Sequence, residues 1–375
     1  MSFSVENSIQ CAEQVFRSFP SKDPFSSFDF LNALDKTDCL DSDSGWNSKC
    51  LNHKNGSVIP FYEKLNSQGE FVFDYAWANT YFRYGQPYYP KLVMSVPFTP
   101  VDGERIIGPD YKSNSEALSG LISYTNEQSY SSLHALYVDK SQREIFKSNN
   151  FIERLDCNYK WINRSYENFD SFLSELTSRH RKNIKKERAY IRKLNIEFEY
   201  LTKITKKDWQ DFYLFYAMTY AVRGQRPYLT AKFFEELNNL KPIIVFAHKQ
   251  GQRIAAALFF QSKDKLFGRY WGTKEPINFL HFECCYYQGI EIAIKNKCVE
   301  FDPGIQGHHK LKRGFEPVIN TSYHWIVDER FRNAISNYCE TESRHIKEYF
   351  EQSKDYLPFK NCLLYTSDAA DEVRS

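Results

Sequence analysis

Twice along this chain a polar His-Lys-x-Gly step interrupts a pair of apolar runs. "HKNGSVI" occupies 53–59 and "HKQGQRI" occupies 248–254. Asn55-Gly56 is a strong tight-turn signal, so each copy predicts two antiparallel strands around a hairpin. The first copy continues into "SVIPFYEK", a polar turn "LNSQGE", a strand-like "FVFDYAW", a helix-compatible "WANTYFRYG" and a strand-like "KLVMSVPF". The second continues into "RIAAALFFQ", a turn "SKDK", a strand "LFGRYWG", a helical "HFECCYYQGIEIAIKNK" and a strand "CVEFDPG". Both halves read hairpin, strand, helix, strand. That order predicts a duplicated α/β unit.

Between the copies the period changes to helical. Phe172, Leu173 and Leu176 share a face that Ile184, Ile191 and Leu194 continue. Residues 208–220 predict another helix with Asp208 as cap or first-turn acid, and Thr230 predicts the N-cap of a third. A last helix is expected near 331–353. In "HHKLKRGF", Lys310, Lys312 and Arg313 suit the end of a short helix. Gly314 suits its left-handed cap, and Phe315 the apolar contact after it.

A length of 375 residues favours two lobes over one core. The expected division is 1–157 and 158–361. The closing residues 362–375 break the pattern, read as a translated sequencing adapter, and are set aside from the fold. A net charge of +2 gives no molecule-wide field for nucleic acid, so any basic surface must be local. One such surface is expected at 179–193, where Arg181, Lys182 and Lys185 belong to a run of eight cations facing only Glu187. A solvated helix face and a polyanion site, such as a tRNA arm or a donor's phosphates, both fit that run. Nine cysteines without a C-x-x-C pair read as reduced thiols of a cytoplasmic protein. No apolar run approaches the roughly 18 residues of a membrane span, and the N-terminus lacks a signal-peptide pattern.

Chemistry concentrates in two places. In "GRYWGTKEPINFLHFECCYYQGIEIAI", Glu283, Tyr287 and Glu291 fall on one helical face. His281 with Cys284 or Cys285 lacks a second ligand pair, so no metal is expected. In "VEFDPGIQGHHK", Asp302, Gln306, His308 and His309 gather at a strand end, where open α/β sheets bind ligands.

The stretches "GEFVFDYAWANTYFRYGQPYYPKLVMSVPFTPVDGERI", "SSLHALYV", "RHRKNIKKER", "PYLTAKFF", "GRYWG", "LHFECCYYQGIE", "GIQGHHKLKRGFEP" and "SYHW" resemble the FemAB-like predicted N-acyltransferases of the GNAT superfamily. The resemblance runs from about Phe25 to Lys360. It implies an α/β (α+β) fold of two tandem GNAT-like acyl-CoA N-acyltransferase lobes. It also implies transfer of an acyl or aminoacyl group from acyl-CoA or aminoacyl-tRNA to an amine. That amine is a small molecule or a cell-wall precursor, with tRNA as a further partner. Lys310 matches the lysine that lies beside the transferred group in Fem-type transferases. Where the family pattern has Gly-Glu-His-Lys, this chain has Gly307-His308-His309-Lys310, and Cys50, Asn66 and Lys160 stand at family histidines.

The expected catalytic set is therefore Lys310 for the oxyanion or donor phosphate, Asp302 and Glu283 as bases, and His309 behind them. Substrate contacts are expected from Arg269, Tyr270, Trp271, Gln306 and Arg313, with Arg181, Lys182 and Lys185 on the basic helix. The competing expectation is a non-catalytic RNA- or nucleotide-precursor-binding protein on a decayed acyltransferase fold.

Overall fold

The structure is a computed structural model that describes residues 2–305 and 307–360. Gln306 and the tail from 361 lie outside the described residues. The chain forms two units. The first takes Met1–Asp156, Tyr228–Leu240 and Ile319–Lys347, and the second takes the remaining segments from Cys157. Two stretches beyond residue 157 thus return to the first unit. Phe233 shows why for one of them: it is fully buried edge-on against Phe30.

The first unit's strands are β1 (Phe3–Glu6), β2 (Trp46–His53), β3 (Val58–Lys64), β4 (Lys91–Met94) and β5 (Ser132–Ala135). The second contains β6 (Ile152–Ile162, from Cys157 on), β7 (Ile196–Leu201), β8 (Ile243–Lys249), β9 (Gln252–Gln261), β10 (Lys265–Thr273) and β11 (Glu300–Asp302). A last strand, β12 (Glu316–Ile326), pairs with β5 through its first-unit residues. The first unit runs β1-β2-β3-β4-β5-β12 and the second β6-β11-β10-β9-β8-β7.

The duplication is real, with one correction to its register. In each unit a hairpin (β2–β3, β8–β9) is followed by a third antiparallel strand (β4, β10). A crossover helix then leads to a parallel fourth strand (β5, β11). Gln250 and Gly251 both have positive φ, at 52° and 73°, as a two-residue hairpin requires. "FVFDYAW" is not the third strand of the first unit. Residues 71–74 are irregular and a helix starts at Tyr75, because Glu70 and Asp74 turn inward while Phe73 is left 60% exposed. The third strand is β4. Its crossover helix is Tyr111–Glu127, which packs Ala117, Leu118 and Leu121 into the core of Leu51, Phe61 and Leu92.

Elsewhere the local signals resolve as expected. The 169–200 segment splits at Leu176 into Phe169–Glu175 and the basic helix Ser178–Lys193. Thr205 caps Lys206–Ala221, with Asp208 completing a capping box, and Thr230 caps the helix after it. The helix Lys206–Ala221 lies so close on β10 that a Cβ at Gly272 would come within 1.9 Å of the Phe215 carbonyl oxygen. Backbone cannot yield as a side chain can. Gly272→Ala is expected to cost about 1–3 kcal/mol or more, read as a lowered denaturant midpoint.

Candidate functional site

The second unit's parallel strand β11 ends at Asp302, opposite Phe267 of β10, which runs on to Thr273. Arg269 sits at a bulge in β10, between Gly268 and Tyr270, which re-aims its side chain. Its guanidinium grips the Asp302 carboxylate with both amino groups, at 3.1 and 3.0 Å. Asp302 Oδ1 also accepts from the Gly304 N–H at 2.8 Å. Burial alone would raise this carboxyl, but Arg269 and then Lys160 outweigh it and hold Asp302 at about 2. Such a carboxylate stays anionic at neutral pH and is a poor proton acceptor.

Lys310 lies at this pair. It sits in the 3-10 segment His308–Arg313, is 1% exposed, and donates from Nζ to the Gly304 carbonyl at 2.5 Å. Burial pulls its ammonium down to about 8, with Asp302 opposing and Arg269 reinforcing the shift. Gly314 closes the segment in the left-handed region (φ 85°), and Phe315 packs on Tyr286 and Phe301.

His309 is half-buried, and its Nε2 shares a 2.9 Å hydrogen bond with the Tyr286 hydroxyl. Its ring leans on Phe282 and Tyr286. Burial, then Arg313 and Lys310, lower its pKa, so the imidazole is neutral at pH 7. His281 is pushed down to about 4, by burial first and then by His309, Lys310 and Arg313. His281 also meets Trp271 edge-on, and Tyr270 meets Tyr216 edge-on.

The crossover helix of this unit carries one π-turn, Glu283–Tyr287, between Leu280–Phe282 and Gln288–Lys295. Eight residues separate Glu283 from Glu291, against about 7.2 for two α-helical turns. The residue absorbed by the π-turn brings the two acids back into line. Both then hold Arg188: Glu283 Oε1 at 2.9 Å and Glu291 Oε1 at 2.7 Å. Gln288 also donates to Glu283, at 2.7 Å. Arg313 is similarly engaged by Glu187 (2.7 Å), the Tyr287 hydroxyl (2.9 Å) and the His309 carbonyl (2.8 Å).

These pairs sort the basic run. Arg188 faces inward, whereas Lys182, Lys185 and Lys186 are exposed and Arg181 is half-exposed. Arg179, His180, Asn183 and Lys312 line a cavity of about 340 Å³ at the start of the same helix. The remaining departures from the family pattern have ordinary partners. Lys160 pairs with Glu300 at 3.0 Å, His308 bonds Tyr349, Asn66 accepts from the Gln68 N–H, and Cys50 is buried on β2.

The first unit holds a second polar centre that sequence reasoning missed. Lys91 is completely buried and donates to Ser67, Glu70 and Asp74. Tyr88 donates to Asp74 at 2.5 Å and reaches His134 Nε2 at 3.3 Å. His134 and His324 then meet Nδ1 to Nδ1 at 2.7 Å. Burial, followed by Lys91, pushes His134 down to about 3. Burial likewise raises Glu70 to about 7, against Lys91, and its Oε1 has no hydrogen-bond partner among the described residues. The available signal was a lysine opening an apolar strand, "KLVM", with acids and histidines in the flanking stretches.

Among the described residues no group of three or more His, Cys, Asp or Glu is placed to hold a metal, and no helix is long and apolar enough to cross a membrane.

Each unit, with its hairpin, third strand, crossover helix and parallel strand, is a GNAT-like lobe, so the chain is a tandem α/β protein of that type. The FemAB-like family model, described as peptidoglycan biosynthesis/recognition, matches residues 8–361, and the chain belongs to this family. No curated protein sequence matches it. Among solved structures, a conserved protein of unknown function from Bacteroides thetaiotaomicron aligns at TM-score 0.53 and 12% identity, covering 87% of this chain and 100% of the other. The C-terminal domain of a putative lysylphosphatidylglycerol synthetase from Agrobacterium fabrum aligns at TM-score 0.53 and 8% identity, covering 90% and 97%. FemX aligns at TM-score 0.50 and 12% identity, covering 90% and 100%. These likenesses are of fold.

Proposed function

We propose that this protein is an N-acyltransferase that moves an acyl or aminoacyl group onto an amine. The observation that carries this reading is that two neighbouring residues just beyond the end of β11 place Lys310 Nζ, buried, on the Gly304 carbonyl and the His309 imidazole, half-buried, on the Tyr286 hydroxyl. One is a buried cation titrating near 8, the other a half-buried neutral imidazole. An attacking amine must lose a proton, and His309 accepts it. The carbonyl oxygen gains negative charge, and Lys310 meets it where the Gly304 carbonyl now accepts. The family description supports a transferase of peptidoglycan metabolism, with a cell-wall precursor as acceptor.

Asp302 and Glu283, expected from sequence as bases, act in this reading as positioning residues, because Arg269 and Arg188 occupy their oxygens. Arg269 and Arg313 are likewise engaged internally. Contact with the anionic part of a substrate passes to the exposed cations Lys182 and Lys185, with Arg181 beside them. Aminoacyl-tRNA, held along the basic helix, is the donor this arrangement favours. A cytoplasmic location follows from a donor of that kind.

The test incubates the full chain with total aminoacyl-tRNA, or acyl-CoA, and a panel of amine acceptors, following deacylated tRNA or free CoA. Release that depends on both donor and amine is expected. RNA binding without release from either donor would instead identify a non-catalytic binder. Lys182→Glu with Lys185→Glu is expected to weaken tRNA binding and to reduce the slope of log K against log salt by roughly 1.5. An unchanged slope removes the basic helix from the donor site.

A further inference from the structure

We propose that Cys11 and Cys50 form a peroxide-responsive thiol pair in the first unit, with Cys11 attacking and Cys50 resolving. Nothing in the acyl-transfer reading uses either residue.

The placement comes from β2. Residues of one parity on a strand share a face, so Cys50 and Asn52 project together. Leu51, of the other parity, joins the core under the helix Tyr111–Glu127. The face of Cys50 and Asn52 is covered by the 3-10 turn Ile9–Ala12, which carries Cys11. Asn52 Nδ2 lies 3.1 Å from Cys11 Sγ, and the Cys50 thiol interacts with the same sulfur. Cys11 is exposed; Cys50 is fully buried. Among the described residues the other cysteines are buried or half-buried, so an oxidant in solution reaches Cys11 first.

The surrounding groups divide the two roles. Donation from Cys50 lowers Cys11 to about 6; burial opposes this, Asn52 reinforces it, and Glu6 on β1 opposes it. Cys50 is raised well above an ordinary thiol, first by its bond to Cys11 and then by burial, with Asp35 and Glu6 adding to the shift. Asp35 is itself held by Ser8 Oγ at 3.2 Å and the Ile9 N–H at 3.3 Å. The nearby Lys49 ammonium is taken by Asn7 at 3.2 Å. The Ser8 carbonyl, 3.2 Å from Cys11 Sγ, accepts from the protonated Cys11 thiol, and the downward shift of Cys11 beside the upward shift of Cys50 favours loss of the proton from Cys11 first.

The chemistry balances with a hydroperoxide as oxidant. The Cys11 thiolate attacks one oxygen of hydrogen peroxide, the O–O bond breaks, hydroxide leaves, and Cys11 becomes a sulfenic acid. Cys50 sulfur then attacks Cys11 sulfur, the S–O bond breaks, and its oxygen leaves as water with the proton from Cys50. The product is a disulfide tying the turn to β2. Formation of the sulfenic acid removes the negative charge that had held Cys50 protonated.

The experiment treats the full chain with a small excess of hydrogen peroxide at pH 7, followed by non-reducing tryptic mapping. The expected product joins the peptide ending at Arg17 to the one spanning Cys50–Lys54, with loss of two hydrogens. Cys50→Ala is expected to stop at a Cys11 sulfenic acid that dimedone traps. Cys11→Ser, a change at an exposed site, is expected to abolish the linked peptide. Iodoacetamide is expected to label Cys11 at pH 7 about tenfold faster in the native than in the denatured chain. Labelling of Cys11 at the denatured rate, or oxidation that leaves Cys11 and Cys50 unlinked in the unsubstituted protein, overturns the pair.

Discussion

Lys310→Met is expected to lower kcat/KM for transfer by about 10²–10³-fold, the loss that follows removal of one preorganised oxyanion partner. The same change is expected to leave the denaturant midpoint unchanged or higher. The sign follows from the pKa. In the folded protein Lys310 titrates near 8, below its ordinary 10.5. Below about pH 8 the folded state therefore carries an unfavourable buried charge. That penalty is relieved as pH rises from 8 to 10.5, where the unfolded chain binds the proton and the folded one does not. Methionine removes the penalty at every pH. Activity lost with stability kept separates a catalytic lysine from a structural one. In the unsubstituted enzyme kcat/KM is expected to fall as pH rises through about 8. Full transfer activity in a folded Lys310→Met protein would sink the assignment.

Lys91→Met is expected to act in the opposite way, costing about 3–5 kcal/mol of stability. Lys91 holds Glu70 at 2.8 Å and also Asp74, with no solvent to take its place. Burial would raise Asp74, but Lys91 and then His134 keep it below the usual carboxylate range. Removing the ammonium leaves an uncompensated buried carboxylate beside a second acid. The denaturant midpoint measures the loss. Adding Glu70→Gln and Asp74→Asn is expected to recover part of it, since no buried charge then remains unpaired. A single variant as stable as the parent would show that the cluster is solvated.

Several elements could be read from the sequence because their causes are local. The tight turns closed by Gly56 and by Gln250-Gly251 follow from local positions at positive φ. The cap at Gly314 and the apolar contact of Phe315 follow from helix-end chemistry. Thr230 as an N-cap is a matter of four consecutive residues. "FVFDYAW" misled for the converse reason: its alternation is strand-like, but Glu70 and Asp74 answer to Lys91, a residue well beyond any local window.

The site divides along the same line. That Asp302, His309 and Lys310 gather at one strand end was legible, because they lie within a few residues of one another. Their roles were not. Asp302 and Glu283 look like free acids in sequence, and the fold places Arg269 and Arg188 on them. Arg188 looks like one more surface cation in a basic run, and the π-turn lines up two acids to hold it inside. The buried Lys91 cluster draws on β3–β4 loop residues, β4, β5 and β12, so no stretch of chain announces it.

By itself, then, the sequence determined the duplicated α/β units, the turns and caps, and the neighbourhood of the chemistry, since hydrophobic period and backbone preference act over a few residues. Only the tertiary structure decided which charges are paired and which are free. Ion pairing depends on burial and on partners as far apart as Glu187 and Arg313, and a pattern read residue by residue carries neither.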